Sequence, residues 1–291
     1  MRHRRTVYAT ILATLLVVGL GGLAAAFAVV QGGLYDVSAT QQHWQPVYRL
    51  LERAMEQSVR LRARQVEVPP LDEPAQLLRG AACFRDKCVQ CHGAPGVAQA
   101  DIGQSMQPLP GPLIDASRRW QARELYWLTR HGIRMSGMPA WEMHLDEKEL
   151  WSVVAFLEKL PALDVAGYHA AVWRADRHIA SGDIPACGVL RRAQTATGAP
   201  DVERGRRLVY QKACNACHVI PGITGPDSHV GPPLHAFGQR TLVAGVLPNT
   251  PDNLARWLLD PPGSKPGTAM PAMGISPADA RDIAAYLGDL R

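Results

Sequence analysis

The stretch Cys88-Val89-Gln90-Cys91-His92 decides how this chain is read, because its pattern is written a second time as Cys214-Asn215-Ala216-Cys217-His218. Working outward, each copy has an aromatic residue four positions before its first cysteine, Phe84 and Tyr210. Downstream come Gly111-Pro112-Leu113 and Gly231-Pro232-Pro233-Leu234, then helical patterns centred on Trp127 and Trp257, then Met138-Pro139-Ala140 and Met270-Pro271-Ala272. Each copy closes on a helix with a similar core, Ala155-Phe156-Leu157 and Ala285-Tyr286-Leu287. Both closing helices carry start signals: Asp146 stands three residues before Glu149 as a capping box, and Ser276 precedes Pro277 at the first helical position. The repeat predicts two tandem domains of about 90 residues each, at 75–163 and 199–291. Nothing in them alternates as a run of strands would, so the fold class expected is all-α.

Length and composition agree with that division. The chain has 291 residues, 47% hydrophobic and 20% charged, with 26 Gly and 23 Pro, enough for two domains with their own cores and unlike a disordered or fibrous chain. Lys and Arg exceed Asp and Glu by 31 to 26 and gather in no basic stripe, so no nucleic-acid partner is expected.

The N-terminus reads as an anchor. Arg2, His3, Arg4 and Arg5 precede an uncharged apolar run from Val7 to Val30. As a helix the run is about 36 Å long, against about 30 Å of hydrocarbon, so it spans a bilayer with some tilt. Basic residues ahead of the span keep the N-terminus cytoplasmic and send the rest outside, in a bacterium to the periplasmic side of the inner membrane. Ala26-Phe27-Ala28 leaves open a cleaved signal peptide, which gives the same compartment. Residues 1–33 are thus anchor or signal. Residues 34–74 form a helical spacer, with a helix over 41–65 that lines up Trp44, Val47, Leu51, Met55, Ser58 and Arg62, closed by Val68-Pro69-Pro70 and Pro74. Residues 164–198, rich in Gly, read as an interdomain linker with a helix at 168–180.

Cys-x-x-Cys-His is the attachment sequence of c-type haem: two thiols add to the vinyl groups and the adjacent His is held under the iron. A four-thiolate zinc site from Cys88, Cys91, Cys214 and Cys217 would leave His92 and His218 without a role and would merge two repeats into one centre. Two copies with the same downstream order predict two covalently bound haem c groups, one per domain. The cysteines left over, Cys83 and Cys187, are candidates for one disulfide in an oxidising compartment, or are two free thiols.

This constellation resembles class I cytochrome c domains, small helical folds in which the first and last helices cross beside one haem. The resemblance covers both repeats and implies His92 and His218 as proximal ligands. It further implies a proline carbonyl accepting the proximal His N–H, from Pro112 in the first repeat and from Pro232 or Pro233 in the second, as outer partners orient metal ligands. The family's sixth ligand is a Met on the loop before the last helix. Met138 and Met270 hold that place in both repeats; Met135, Met143 and Met273 compete, as do His131, His144, His229 and His235 for a bis-His site. Trp127, Trp141 and Trp257 are expected to pack on the macrocycle or in the core. Arg240 is expected to pair with a propionate or lie on the surface.

A span followed by two such domains is similar to a membrane-anchored dihaem cytochrome c. That resemblance implies outer-sphere electron transfer between redox partners: a terminal oxidase, a quinol-cytochrome c reductase or a periplasmic dehydrogenase, as a carrier or a complex subunit. The anchored subunit of the cbb3-type oxidase is similar in outline, in its haem motifs and membrane span. A dihaem peroxidase is the alternative; it needs one iron with an open position, which two Met-Pro-Ala loops argue against.

Overall fold

The structure, a computed structural model, describes residues 2–189, 198–228 and 230–291. It divides into two compact units, Met1–Arg53 and Ala54–Arg291. In the first unit, helix α1 (Arg2–Gln31) is long and apolar enough to cross a membrane, with a window of mean hydropathy 2.3 whose residues are exposed. A polar segment follows, held by a Tyr35 Oη to His43 Nδ1 contact of 2.9 Å, and leads into α2 (Gln45–Ala63).

In the second unit the end of α2 is anchored by Val59 and Ala63, both buried, one turn apart. The stripe expected along this helix differs: Leu51 is exposed and Arg62 too, because the packed face is the one carrying Val59 and Ala63. After Glu73 the chain enters α3 (Pro74–Lys87), whose proline at the first turn lacks only an N–H that would have no helical partner. Helix α4 (Ala122–His131) starts on a Gln121/Glu124 capping box and α5 (Glu147–Lys159) on the Asp146/Glu149 box anticipated above. In the second repeat α7 (Val202–Gln211), α8 (Pro251–Leu259) and α9 (Pro277–Gly288) occupy the corresponding places. Ser276 accepts a hydrogen bond from the Asp279 N–H at 3.1 Å, as its position before Pro277 predicts. A two-residue strand pair, Leu242–Val243 with Leu247–Pro248, is the extended structure among the described residues beyond an isolated bridge.

Each repeat is built on a helix crossing that needs a glycine. A Cβ placed on Gly80 of α3 would lie 2.0 Å from the Ser152 carbonyl oxygen and 2.8 Å from the Phe156 Cβ of α5. One on Gly205 of α7 would lie 2.0 Å from the Asp282 carbonyl oxygen and 3.0 Å from the Tyr286 Cβ of α9. The closing-helix aromatics therefore are equivalent, as the repeat predicts. The opening-helix aromatics are not. Phe84, four residues after Gly80, is fully buried 5.3 Å from Phe156, whereas the residue four after Gly205 is the buried Val209, and Tyr210 is 57% exposed. The second repeat has one more residue between crossing and motif, absorbed where Ala213 takes a left-handed conformation (φ 55°).

Residues 164–198 do not run free between the repeats over their described part. Helix α6 (Val165–Ala180) buries Tyr168 and Ala175, two turns apart, in the first core, and Arg85 of α3 pairs with Asp176. Beyond it, Cys187 is joined to Cys83 in a disulfide with Cα atoms 5.1 Å apart. The buried Glu149 accepts the Gly188 N–H at 2.6 Å.

Candidate functional site

The first motif begins where α3 ends. The Cys88 N–H still bonds to the Phe84 carbonyl, and Val89–His92 continue as one helical turn in which the His92 N–H reaches the Cys88 carbonyl at 2.9 Å. Gly93 (φ 67°) then turns the chain away. In the second motif Cys214–Ala216 form a 3₁₀ turn and the His218 N–H reaches the Cys214 carbonyl at 3.0 Å. One turn of helix thus places both cysteines and the histidine of each motif on one short rigid element. All four motif cysteines are free thiols, half-buried. Burial pushes the Cys88 thiol up to about 12 and the Cys214 thiol up to about 11, so neither is ionised near neutral pH. Among the described residues these four thiols are not gathered into one ligand cluster; the trio that is close together, Cys83, Glu149 and Cys187, has both its sulfurs in the disulfide.

Each motif histidine is oriented by a backbone carbonyl. His92 Nδ1 lies 2.7 Å from the Gly111 oxygen and His218 Nδ1 lies 2.8 Å from the Pro232 oxygen. A carbonyl can only accept, so Nδ1 carries the proton in both rings and Nε2 is left with its lone pair. Burial, partly opposed by the Gly111 bond, holds His92 below its ordinary value and keeps the ring neutral.

This geometry corrects one expected partner and selects between the two alternatives for the other. The acceptor in the first repeat is Gly111 rather than Pro112, and in the second it is Pro232 rather than Pro233. The register is set by the apolar anchor that follows: Leu113 packs against the first core and Leu234 is buried in the second, and the acceptor stands two residues before each. Counting from the shared Gly-Pro misplaces the first repeat by one residue. Pro233 offers its carbonyl to Arg240 instead, which also reaches the His235 carbonyl at 3.2 Å and lies over the Phe237 ring. Arg240 is thereby a clamp on the loop beside His218, which neither expected role described.

Different residues hold the two loops in place. In the first, Gln99 donates to the Cys91 carbonyl at 2.7 Å and the Pro110 carbonyl at 2.6 Å. Sequence reading missed Gln99, since nothing in its neighbourhood repeats in the second domain. There the backbone itself does the work, the Gly231 N–H bonding to the Cys217 carbonyl at 2.8 Å. Gly231 also leaves space for the imidazole: a Cβ there would lie 2.4–2.8 Å from three His218 ring atoms.

The methionine loops share a local device. The Met138 N–H points to the Ser136 Oγ at 3.2 Å and the Met270 N–H to the Thr268 Oγ1 at 3.4 Å, a hydroxyl two residues back in both. Gly132 (φ 65°) ends α4 so closely against this loop that a Cβ would lie 2.6 Å from the Met138 oxygen. Both methionines are half-buried, and Met270 packs against the second core. Their competitors are placed elsewhere. Met135 is 92% exposed, Met273 is exposed, and Met143 is buried in the core of the second domain. His131, His144 and His235 are exposed, His131 and His144 beside Trp127 and Trp141, while His229 lies outside the described residues. Trp257 is a core residue and Trp127 is half-buried. Met106, which sequence reading did not weigh, rests its thioether against Gly137.

A cavity of about 350 Å³ opens at His92, lined by Ala94, Gln99, Leu109, Gly111 and Leu113. An apolar hollow beside a histidine with a free Nε2 and two unpaired thiols suits a covalently held macrocycle and its iron.

Residues 75–157 match the family model described as cytochrome c oxidase, cbb3-type, subunit III, and residues 202–291 match the model described as cytochrome c. Both segments are cytochrome c domains. The first domain's likeness to the cbb3-type subunit therefore extends well beyond its haem motif. The two domains bind haem c covalently, Cys88/Cys91 and Cys214/Cys217 supplying the attachment motifs, and they are electron-transfer domains. Relatives include cytochrome c oxidase subunit 2 of Alkalihalophilus pseudofirmus, 37% identical over 89 residues, 30% of this chain and 25% of that protein. The Bacillus subtilis protein of the same description is 34% identical over 86 residues, 29% of this chain and 24% of its own length. The chain spans about a quarter of the length of the curated relatives it matches.

Proposed function

We propose that the chain is a membrane-anchored dihaem cytochrome c that passes electrons between redox proteins on the periplasmic side of the inner membrane. The observation that carries this reading is the presence, in both domains, of a carbonyl-oriented histidine and of a half-buried methionine on a hydroxyl-pinned loop. The domains at 75–163 and 199–291 each hold one haem. Cys88 and Cys91, and Cys214 and Cys217, form its thioether links; His92 and His218 ligate through Nε2; Met138 and Met270 complete the iron's coordination. Bound in this way, haem supplies a reversible one-electron couple, and a methionine partner places it at higher potential than a second histidine would. The protein's part is to keep both axial positions closed, the macrocycle dry and the histidine tautomers fixed, so that no substrate reaches the metal and only an electron leaves.

Arg2, Arg4 and Arg5, ahead of the apolar run within α1, support a cytoplasmic N-terminus, and the Cys83–Cys187 disulfide supports an oxidising compartment for the domains. The oxidase-subunit relatives and the cbb3-type match support a terminal oxidase as the acceptor side, with a quinol-cytochrome c reductase or a periplasmic dehydrogenase as donor and the chain as carrier or subunit. The test is a haem count by pyridine haemochrome and the reduced spectrum with and without carbon monoxide. Two haems and no spectral change are expected. One haem binding carbon monoxide would defeat the carrier reading in favour of a dihaem peroxidase. Met138→Ala or Met270→Ala should open one site to carbon monoxide and lower that haem's potential.

A further inference from the structure

Met143 belongs to the first domain by chain order, five residues after Met138, yet its side chain is 4% exposed among the core residues of the second domain. Leu145, two residues on, is 1% exposed in the first domain's core. The turn between them, in which the His144 and Leu145 N–H groups both bond to the Trp141 carbonyl, thus fastens one core to the other. Its backbone is tied as well: Lys212 Nζ donates to the Met143 carbonyl at 3.0 Å. Beside this contact is a small cavity of about 70 Å³ lined by Lys87, Met143, His144, Lys212, Ser276 and Asp279. Lys87 immediately precedes Cys88, and Lys212 stands two residues before Cys214. The residues just ahead of the two haem-attachment motifs therefore line one small cavity, with room for no more than a few waters.

We propose that this contact is the site of electron exchange between the two haems, and that Met143 is the positioning residue that fixes their separation. The proposal rests on the dihaem reading above. With haem held at Cys88/Cys91/His92 and at Cys214/Cys217/His218, exchange would move one electron from a ferrous to a ferric iron, one being oxidised as the other is reduced. No bond forms or breaks and no proton is required, so the rate is set by how closely and how persistently the two attachment segments are held. Exchange is accordingly intramolecular, its rate independent of protein concentration.

The test uses the full-length holoprotein in detergent. A radiolysis pulse injects less than one electron per molecule, and freeze-quench electron paramagnetic resonance follows its redistribution between the two ferric signals. Met143→Ala trims a plug that one core inserts into the other, so the docked population and the redistribution rate should fall at least about tenfold, and Met143→Asp should lower them further. Haem content and both potentials should stay as in the parent. Lys212→Met, which leaves both cores intact, should give a fall of about threefold and keeps the test decisive if Met143→Asp fails to load haem. A parent rate that scales with protein concentration, or unchanged rates in all the variants that load haem, would overturn the proposal. A haem count other than two, or a carbon monoxide response in the parent, defeats the dihaem reading itself and is seen before any pulse is delivered.

Discussion

Substituting alanine at the two glycines of the shared Gly-Pro motif should damage the second repeat and leave the first unchanged. At Gly231 the new Cβ would stand 2.4 Å from His218 Cε1, 2.7 Å from Nδ1 and 2.8 Å from Nε2. Carbon contacts settle near 3.5–4.0 Å, so the ring must retreat by about 1 Å. The turn carrying Cys214 and Cys217 resists that movement, and a retreat of this size takes Nδ1 out of hydrogen-bonding range of the Pro232 oxygen, now at 2.8 Å. Overpacking of this kind costs about 1–3 kcal/mol and the lost hydrogen bond about 1 kcal/mol. Gly231→Ala should accordingly lower the denaturant midpoint of the holoprotein by an amount equivalent to about 2–4 kcal/mol. It should also raise the second haem's potential, because the histidine loses the partner that makes it a stronger donor to iron. At Gly111 a Cβ would have nothing within 4 Å, and Gly111→Ala should change stability by less than about 0.5 kcal/mol and leave the first haem's spectrum and potential as they are. Spectroelectrochemical titration with guanidinium unfolding of both variants decides the matter. Equal damage at the two glycines, or an unperturbed second haem in Gly231→Ala, would refute the register argument on which the orientation of both histidines rests.

Gly80→Ala and Gly205→Ala each gain up to about 1 kcal/mol of helix propensity, but their Cβ atoms would lie 2.0 Å from a backbone oxygen that cannot swing aside, so both should lose about 2 kcal/mol or more net. Gly288→Ala, where the Cβ meets nothing within 4 Å, should be neutral or stabilising, and a three-variant unfolding series that ranks them otherwise contradicts the crossing geometry. Replacing Cys83 and Cys187 together by serine removes a link over a sequence separation of 104 residues and should destabilise the first domain by about 2–5 kcal/mol, read as the gap between parent and variant unfolding curves under oxidising conditions. Burial holds the Glu149 carboxyl above its ordinary 4.5 in the folded protein, which therefore binds that proton more tightly than the unfolded chain does. Its contribution favours folding fully below 4.5 and fades as pH climbs through the raised value. Glu149→Gln should flatten that limb of the stability profile, and an identical profile would show that another group is responsible.

What was legible in the residues is what chemistry ties to a fixed spacing. Two thioether links and a ligand under the iron demand Cys-x-x-Cys-His on one helical turn, so the motif cannot drift by a residue without losing function. Caps are local in the same sense: Asp146 with Glu149 and Ser276 before Pro277 complete their bonds within three residues. The readings that slipped depend on partners far along the chain. Whether Gly111 or Pro112 faces His92 is settled by where Leu113 finds the core, and whether Tyr210 is buried is settled by its distance from the crossing at Gly205 rather than from Cys214. In the stretch after Asp164 the expected helix at 168–180 is present as α6, but its docking on the first core through Tyr168 and Ala175, two turns apart, depends on partners outside the stretch.

Met143 makes the same point about a ligand. Three methionines crowd one loop, at 135, 138 and 143, and nothing in residue type separates them, since each offers the same thioether. What separates them is where the backbone can deliver that thioether. Met135 sits in a left-handed conformation (φ 60°) at the tip of the loop, almost wholly in solvent. Met143 lies beyond Trp141, whose carbonyl accepts the N–H groups of His144 and Leu145; that turn commits Leu145 to one core and sends Met143 into the other. Only Met138 has its carbonyl bonded to the Ile133 N–H, its own N–H on a neighbouring hydroxyl and its side chain half-buried. A loop held at both ends of one residue presents that side chain in a single place, which is what an axial ligand requires. The same turn that withdraws Met143 from competition carries it to the other domain. On the dihaem reading proposed above, one short segment would both leave Met138 as the ligand of the first haem and set the approach to the second.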